Sequence, residues 1–346
     1  MSNIPLTIDS LKNHYILDRV LGEGTFSKVV KARRVSDDQI IALKVFKKKL
    51  KSILDVDHLR EVQVFKLIGD NPNFIKANGF IYDPVTSIFS LDLEIMDINL
   101  YDFLCKKYIT EDKAKFIVYN VLKALEHLHS KKHFHRDIKP ENILLNAEGT
   151  IVKLADLGSC SKINTEKPLT QYIATRWYRA PENLLTTGLY DEKMDIWGVS
   201  CILYEMLTKK PLFPGKNAFE QVTLINKAIG SPTEQELLEI NRNQYSTLPF
   251  TFPKTNGYGL RRLFLARPSD DCISFIESAL KYSPIARPSA SALIKHPFLT
   301  PYNQARIQEK TKSSESFASV FYFHLEEIYW RTNRIWLYRK QKTTSY

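Results

Sequence analysis

His135-Arg136-Asp137-Ile138-Lys139-Pro140-Glu141-Asn142 follows a helical stretch that ends near His129. Its spacing puts a carboxylate, an ammonium and an amide on one loop. Asp137 can orient an attacking hydroxyl and accept its proton, Lys139 can neutralise charge on a moving phosphoryl group, and Asn142 can ligate Mg2+. Downstream, the apolar run Ile151-Val152-Lys153-Leu154-Ala155 reads as a buried strand and delivers Asp156-Leu157-Gly158. A carboxylate at the end of such a strand is well placed to bind a metal that bridges phosphates.

Upstream, Gly22-Glu23-Gly24-Thr25-Phe26-Ser27-Lys28-Val29 lies on a turn between two strand-like stretches. Glycines there let the backbone approach a ligand and present N–H groups to phosphates. Taken alone, such a hairpin is more often only a tight turn. Lys44 follows, in mid-strand among Ile41, Ala42 and Leu43. A lysine in apolar company is expensive unless an anion meets it. Glu61, on the next helical stretch, is the natural partner, and the pair would hold the ammonium against the α- and β-phosphates of a nucleotide.

The rest of the chain is that of a globular protein with unequal halves. Over 346 residues, 44% are hydrophobic and 25% charged, which excludes an intrinsically disordered chain. Cys105, Cys160, Cys201 and Cys272 stand far apart, which argues against a disulfide framework or a zinc site and fits a reducing compartment. No apolar run approaches the roughly 20 residues that span a bilayer. The start, Met1-Ser2-Asn3-Ile4-Pro5, has no basic stretch followed by an apolar one, so no secretory signal is expected. The expected location is cytoplasmic or nuclear.

Net charge is +11, but much of it is local, in Lys44, Lys47, Lys48, Lys49 and Lys51 and in the basic residues after Tyr329. We read it as a solvated face and a basic tail, with no specific nucleic-acid partner.

Tyr15–Leu17, Val29–Ala32 and Ile40–Phe46 read as strands, as do stretches around 80–82 and 88–95. Helical periodicity is expected over 54–68, 113–129, 193–208 and 271–281. A strand-rich front and a helix-rich back predict an α+β molecule of two unequal lobes. Residues 212–268 look loop-rich, and residues 301–346 look like an appended tail dense in aromatics and arginines.

In this order, with Ala180-Pro181-Glu182 behind them, the motifs resemble the signature set of eukaryotic protein kinases over roughly residues 15–300. The resemblance implies a bilobal fold with a β-rich N-lobe at 15–95, a hinge at 94–99 and a helical C-lobe at 100–300, preceded by an extension at 1–14. It also implies ATP and Mg2+. Lys139 is where Ser/Thr kinases resemble this chain and typical tyrosine kinases differ. Thr170-Gln171-Tyr172, the segment Ile173 to Glu182, Pro211-Leu212-Phe213-Pro214-Gly215 and Ile229-Gly230-Ser231-Pro232-Thr233 resemble the CMGC group of MAP and cyclin-dependent kinases. Gly-Glu-Gly-Thr-Phe-Ser-Lys-Val, Asp-Leu-Gly-Ser-Cys and the Thr-x-Tyr are similar to the MOK branch of the MAK/MOK family.

The resemblance assigns further roles by position. Leu21, Gly22, Gly24, Val29, Ala42 and Leu144 would enclose the nucleotide. Glu94 and Met96 would offer hinge backbone groups to adenine, and Leu93 would sit at the gatekeeper position. Thr170 and Tyr172 would be regulatory phosphorylation sites, with Arg60 and Arg136 receiving phosphate, and an upstream kinase is implied. Arg179 would hold the backbone near Ala174 and so favour proline after the target Ser or Thr. Asp195 would brace the catalytic loop, and Arg287 would pair with Glu182.

Two departures stand out. Ser27 replaces a glycine, losing loop flexibility but keeping the N–H donors. Leu157 replaces the usual Phe and packs less area under the Glu61 helix. Family analogy adds the cilium as a location. The aromatic tail is expected to pack on the C-lobe, with a docking partner as the alternative. The rival to an enzyme is a scaffold with the same fold and no turnover. Retention of Lys44, Glu61, Asp137, Lys139, Asn142 and Asp156 argues against it.

Overall fold

The computed structural model describes residues 6–163, 176–186, 190–240 and 253–300. The first lobe is built on strands β1 (Leu6–Ile8), β2 (Tyr15–Glu23), β3 (Ser27–Arg34), β4 (Ile40–Phe46), β5 (Ala77–Asp83) and β6 (Ile88–Glu94), with helices α1 (Leu11–His14) and α2 (Arg60–Ile68). The sheet order is β1-β5-β6-β4-β3-β2, antiparallel except where β1 runs parallel to β5. Alternation splits its residues between two faces. Ile41, Leu43, Ala32, Tyr15 and Ile81 form one buried cluster, against which Leu11 packs. Ala42 and Lys44, opposite Leu93 and Leu91, point the other way, toward α2 and the cleft.

Residues 6–14, read from sequence as an extension, are therefore part of this sheet and its covering layer. The outer face also holds a buried charge, Asp92. Its carboxylate accepts from Tyr15 Oη at 2.7 Å, Arg34 Nε at 2.8 Å and Nη2 at 2.9 Å, and Asn78 Nδ2 at 3.0 Å. A buried carboxylate is tolerable only when it is paired and hydrogen-bonded in this way. It ties β2, β3, β5 and β6 together.

The helical stretch expected over 54–68 is divided. A 3-10 turn spans Ile53–His58, capped by Ser52 and Asp55, and Leu59 is extended (φ −69°, ψ 121°) before α2 begins. Reciprocal bonding between Ser52 and Asp55 satisfies the start of the 3-10 turn, and the extended Leu59 ends it before α2.

The second lobe contains β7 (Ile98–Asn99), α3 (Leu100–Lys106), α4 (Glu111–Ser130), β8 (His133–Phe134), β9 (Ile143–Leu145), β10 (Val152–Leu154), β11 (Ser161–Lys162), α5 (Pro181–Leu185), α6 (Lys193–Thr208), α7 (Ala218–Ile229), α8 (Glu234–Ile240), α9 (Asp270–Ala279) and α10 (Ala290–Leu293). Thr110 caps α4, Asn217 caps α7 and Ser269 caps α9, each accepting a backbone N–H two or three residues into the helix. Helix α6 is buried from Met194 to Met206, so its apolar residues encircle it where an amphipathic helix would show a stripe. The stretch 212–268, expected to be loop-rich, contains α7 and α8 as well. Three-stranded β10-β9-β7 and two-stranded β11-β8 sheets frame the loops at the mouth of the cleft. The tail at 301–346 lies outside the described residues.

Candidate active site

The register of β3 and β4 sets Val29 opposite Lys44, and the antiparallel ladder with β6 sets Ala42 opposite Leu93. Leu144, in the middle of β9, is flanked by Asn99 and Lys153. Leu21 is half-exposed near the end of β2, and Ala42 and Leu93 are buried. Strand β6 ends at Glu94, and Met96 lies in the crossing to β7. The Glu94 carboxylate accepts from the Lys76 backbone N–H at 2.6 Å and pairs with Lys153 at 2.5 Å, which pins the crossing to both lobes. Gly24 N–H donates to the Ser27 carbonyl at 2.9 Å, closing the turn between β2 and β3. A Cβ built on Gly22 would meet nothing within 4 Å, and one on Gly24 only the Ser27 carbonyl oxygen at 3.8 Å. The glycines thus leave open space beneath the turn.

Lys44 Nζ donates to both Glu61 oxygens, at 2.7 and 2.8 Å, and to Asp156 Oδ1 at 2.8 Å. Lys44 and Glu61 are 8% and 4% exposed, so their charges are held in contact away from water. Burial opposes the Lys44 ammonium, but the Glu61 and Asp156 carboxylates outweigh it and raise the pKa above the usual lysine range. Burial likewise opposes the Asp156 carboxylate, and Lys44 outweighs it, holding that pKa below the usual range. Asp156 itself is left-handed, at φ 60° and ψ 69°. Aspartate tolerates this conformation better than most residues. Leu157 is fully buried, and Gly158 lies so close that a Cβ would stand 3.3 Å from Glu61 Oε2.

The catalytic-loop candidates converge beside this group. Lys139 Nζ donates to Asp137 Oδ2 at 2.7 Å, and Asn142 Nδ2 donates to the same oxygen at 2.9 Å and to the Asp137 carbonyl at 2.8 Å. Burial opposes the Lys139 ammonium, but Asp137 prevails and raises its pKa. Asp195, at the start of the buried α6, accepts from the backbone N–H groups of His135 at 2.8 Å and Arg136 at 2.9 Å. Those bonds hold Arg136 in a left-handed backbone (φ 73°) that it would not otherwise favour. The Asp137 N–H donates to His135 Nδ1 at 3.3 Å, so His135 Nε2 carries the proton and donates to the Ala155 carbonyl at 2.9 Å. The Ala155 N–H in turn donates to the Asn142 carbonyl at 2.9 Å. The loop bearing Asp137 and the strand bearing Asp156 are thereby one bonded unit.

Arg287 and Glu182 form the expected pair, two parallel bonds at 2.6 and 2.7 Å. Several contacts were not foreseen. His129 Nε2 lies 2.9 Å from Asp195 Oδ2. Arg136 donates to Tyr190 Oη at 2.6 Å and lies over its ring. Tyr178 Oη donates to Glu205 Oε2 at 2.7 Å, and Gln221 Nε2 donates to the Trp177 carbonyl at 3.2 Å. All join residues far apart in the chain, and no local spacing announces them. Arg60 opens α2 and is exposed, and Arg179 is half-buried after Tyr178. Thr170, Tyr172 and Ala174 lie outside the described residues.

A lysine clamped between two carboxylates, facing an aspartate that is itself held by a lysine and an asparagine, is the equipment for moving a phosphoryl group. The Protein kinase domain family matches residues 15–299. The chain is 35% identical to MAPK/MAK/MRK overlapping kinase of Mus musculus over 313 residues, covering 90% of this chain and 73% of that protein. The Homo sapiens protein of the same name is 36% identical over 302 residues, covering 87% and 70%. Serine/threonine-protein kinase MAK of Rattus norvegicus is 33% identical over 288 residues, covering 83% of this chain and 45% of that protein.

The chain belongs to the protein kinase family, and its activity is the phosphorylation of serine or threonine in proteins at the expense of ATP. Within that family it fits the MOK-like branch of the CMGC group, as the motifs implied. Among the described residues no helix is long and apolar enough to cross a membrane.

Proposed function

We propose that the chain is a proline-directed Ser/Thr kinase that uses MgATP and is switched by phosphorylation of Thr170 and Tyr172. The observation that carries the reading is the Lys44–Glu61 contact, extended to Asp156. That arrangement presents a fixed cation to the nucleotide's phosphates.

In this reading Leu21, Val29, Ala42 and Leu144 enclose adenine, Glu94 and Met96 offer it backbone groups, and Gly22 and Gly24 admit the phosphates. Lys139 and Asn142 occupy one oxygen of Asp137. The other is left to orient the substrate hydroxyl and take its proton. Lys139 is then placed to stabilise charge on the transferred group. Asn142 Oδ1 and Asp156 Oδ2 are hard oxygen donors. So small a protein share suits Mg2+, which would take its remaining ligands from phosphate and water and draw off developing charge.

The proline preference rests on Arg179 and Ala174, which would remove the acceptor that another residue's N–H would need. Phosphate at Thr170 or Tyr172 adds about −1.5 to −2 charge, for which Arg136 and Arg60 are the receivers. Ser161 and Lys162 stand where many relatives have a further arginine, so Tyr172 carries more of the switching. An upstream kinase and a cytoplasmic or nuclear location belong to the same proposal.

The test compares wild type with Asp137→Asn on matched Ser-Pro and Ser-Ala peptides. Transfer to Ser-Pro, falling at least about 100-fold in the variant, is expected. Equal use of both peptides would remove the proline preference, and no transfer would leave a scaffold. Tyr172→Phe should lower turnover several-fold, and unchanged turnover would refute its regulatory part.

A further inference from the structure

Ser27 stands where the resemblance places a glycine, and the sheet register fixes which way its side chain goes. Ser27 is opposite Phe46, just as Val29 is opposite Lys44. Opposed residues share a face of the sheet, and so do residues two apart on one strand. Lys44 reaches Glu61 and Asp156 in the cleft, and its Nζ lies 5.8 Å from the centre of the Phe46 ring. Ser27, Val29, Lys44 and Phe46 therefore lie on the cleft face. The Ser27 Cβ projects into the space toward which the glycine turn opens.

The residue is also held still. Its carbonyl accepts from Gly24 N–H at 2.9 Å, the Phe26 carbonyl accepts from Lys47 N–H at 2.9 Å, and Lys47 Nζ pairs with Glu23 at 2.7 Å. Both sides of the turn are thus tied, one to β3 and the other to Lys47, just past the end of β4. The Oγ, on a single rotatable bond, can aim its proton into the cleft.

We propose that the Ser27 hydroxyl donates a hydrogen bond to the terminal phosphates of bound ATP. The inference rests on the nucleotide reading above and adds one side-chain donor to it. Donation to a phosphate oxygen is charge-assisted, and so stronger than a bond between neutral groups. It offsets the flexibility lost with the glycine.

The experiment measures the affinity of MgATP and of adenosine, by titration calorimetry, for wild type, Ser27→Ala, Ser27→Gly and Ser27→Thr. Ser27→Ala and Ser27→Gly should weaken MgATP about fivefold and leave adenosine, which has no phosphate, unchanged. Ser27→Thr, which keeps the hydroxyl, should stay near wild type. Equal MgATP affinity in wild type and Ser27→Ala overturns the hydroxyl's part alone. Parallel losses for ATP and adenosine overturn it too, as an effect on the shape of the turn. A wild-type protein that binds neither ligand would overturn the nucleotide reading beneath it.

Discussion

Arg287 meets Glu182 through two parallel bonds, Nη1 to Oε1 at 2.6 Å and Nη2 to Oε2 at 2.7 Å, with both residues 1% exposed. The guanidinium also donates to the carbonyls of Lys281, Lys193 and Tyr282 and lies over Trp197. Breaking such a pair leaves one buried charge unanswered, at a cost of about 3–5 kcal/mol. Arg287→Ala should lower Tm by roughly 10 °C. Arg287→Lys should recover little, because an ammonium cannot make both bonds. A Tm within a degree of wild type in either variant would contradict this account.

The close approach of Gly215 to Gln221 sets a second expectation. A Cβ on Gly215 would stand 2.5 Å from the Gln221 nitrogen and 2.6 Å from its Cα, both backbone atoms. Gln221 Oε1 also accepts the Gly215 N–H at 3.0 Å, while its Nε2 supports the Trp177 carbonyl. Gly215→Ala should destabilise by about 1–3 kcal/mol. By shifting Gln221 it should also raise the KM for peptide substrate. Denaturant melts together with peptide kinetics would check both, and a fully stable variant would show that α7 yields freely.

Lys44 gives a dependence on pH with a definite sign. Burial opposes its charge, the two carboxylates outweigh burial, and the folded pKa lies above the unfolded one. The contribution to stability is therefore complete below about pH 10, the ordinary lysine value. It is lost as pH rises through the higher folded value. The difference in Tm between wild type and the triple variant Lys44→Met/Glu61→Gln/Asp156→Asn, which leaves no titrating group in the cluster, should shrink as pH rises above about 10. A difference that grows with alkalinity would reverse the sign and refute the pairing.

The cysteines should separate by reactivity. Cys105 is exposed, whereas Cys160, Cys201 and Cys272 are buried. Burial, aided by Glu111, pushes the Cys272 thiol up to about 12. Burial first, and acidic neighbours second, also raise Cys160 and Cys201. Since the thiolate is the reactive form, iodoacetamide at pH 8 should label Cys105 alone in the folded protein and all of them in urea. Prompt native labelling of Cys272 by mass spectrometry would count against this packing.

Much of the site is legible in the sequence, because its chemistry is encoded over short spans. The strand that carries Lys44, the loop from His135 to Asn142 and the carboxylate after Leu154-Ala155 all appear where the sequence predicts them. What escaped depends on contacts between distant residues. Leu6-Thr7-Ile8 is too short for any periodicity, and only its ladder with Phe80-Ile81-Tyr82 makes it a strand. The extended Leu59 splits the stretch into a separately capped 3-10 turn and α2, a division that apolar spacing cannot register. Tyr190 beside Arg136 and Glu205 beside Tyr178 are ordinary residues in their own neighbourhoods. Asp92 would have read as a misplaced charge in a strand, since its partners come from three other strands.

The first strand, β1, matters for how the molecule can be cut down. A recombinant fragment begun at Tyr15, where the family match starts, would discard β1 and the turn that carries Leu11. The flank of β5 would then offer unsatisfied backbone groups to any passing chain, and the hydrophobic cluster behind Tyr15 would lose its cover. Self-association of such a fragment would arise from the trimming, while the intact chain carries its own protection against it.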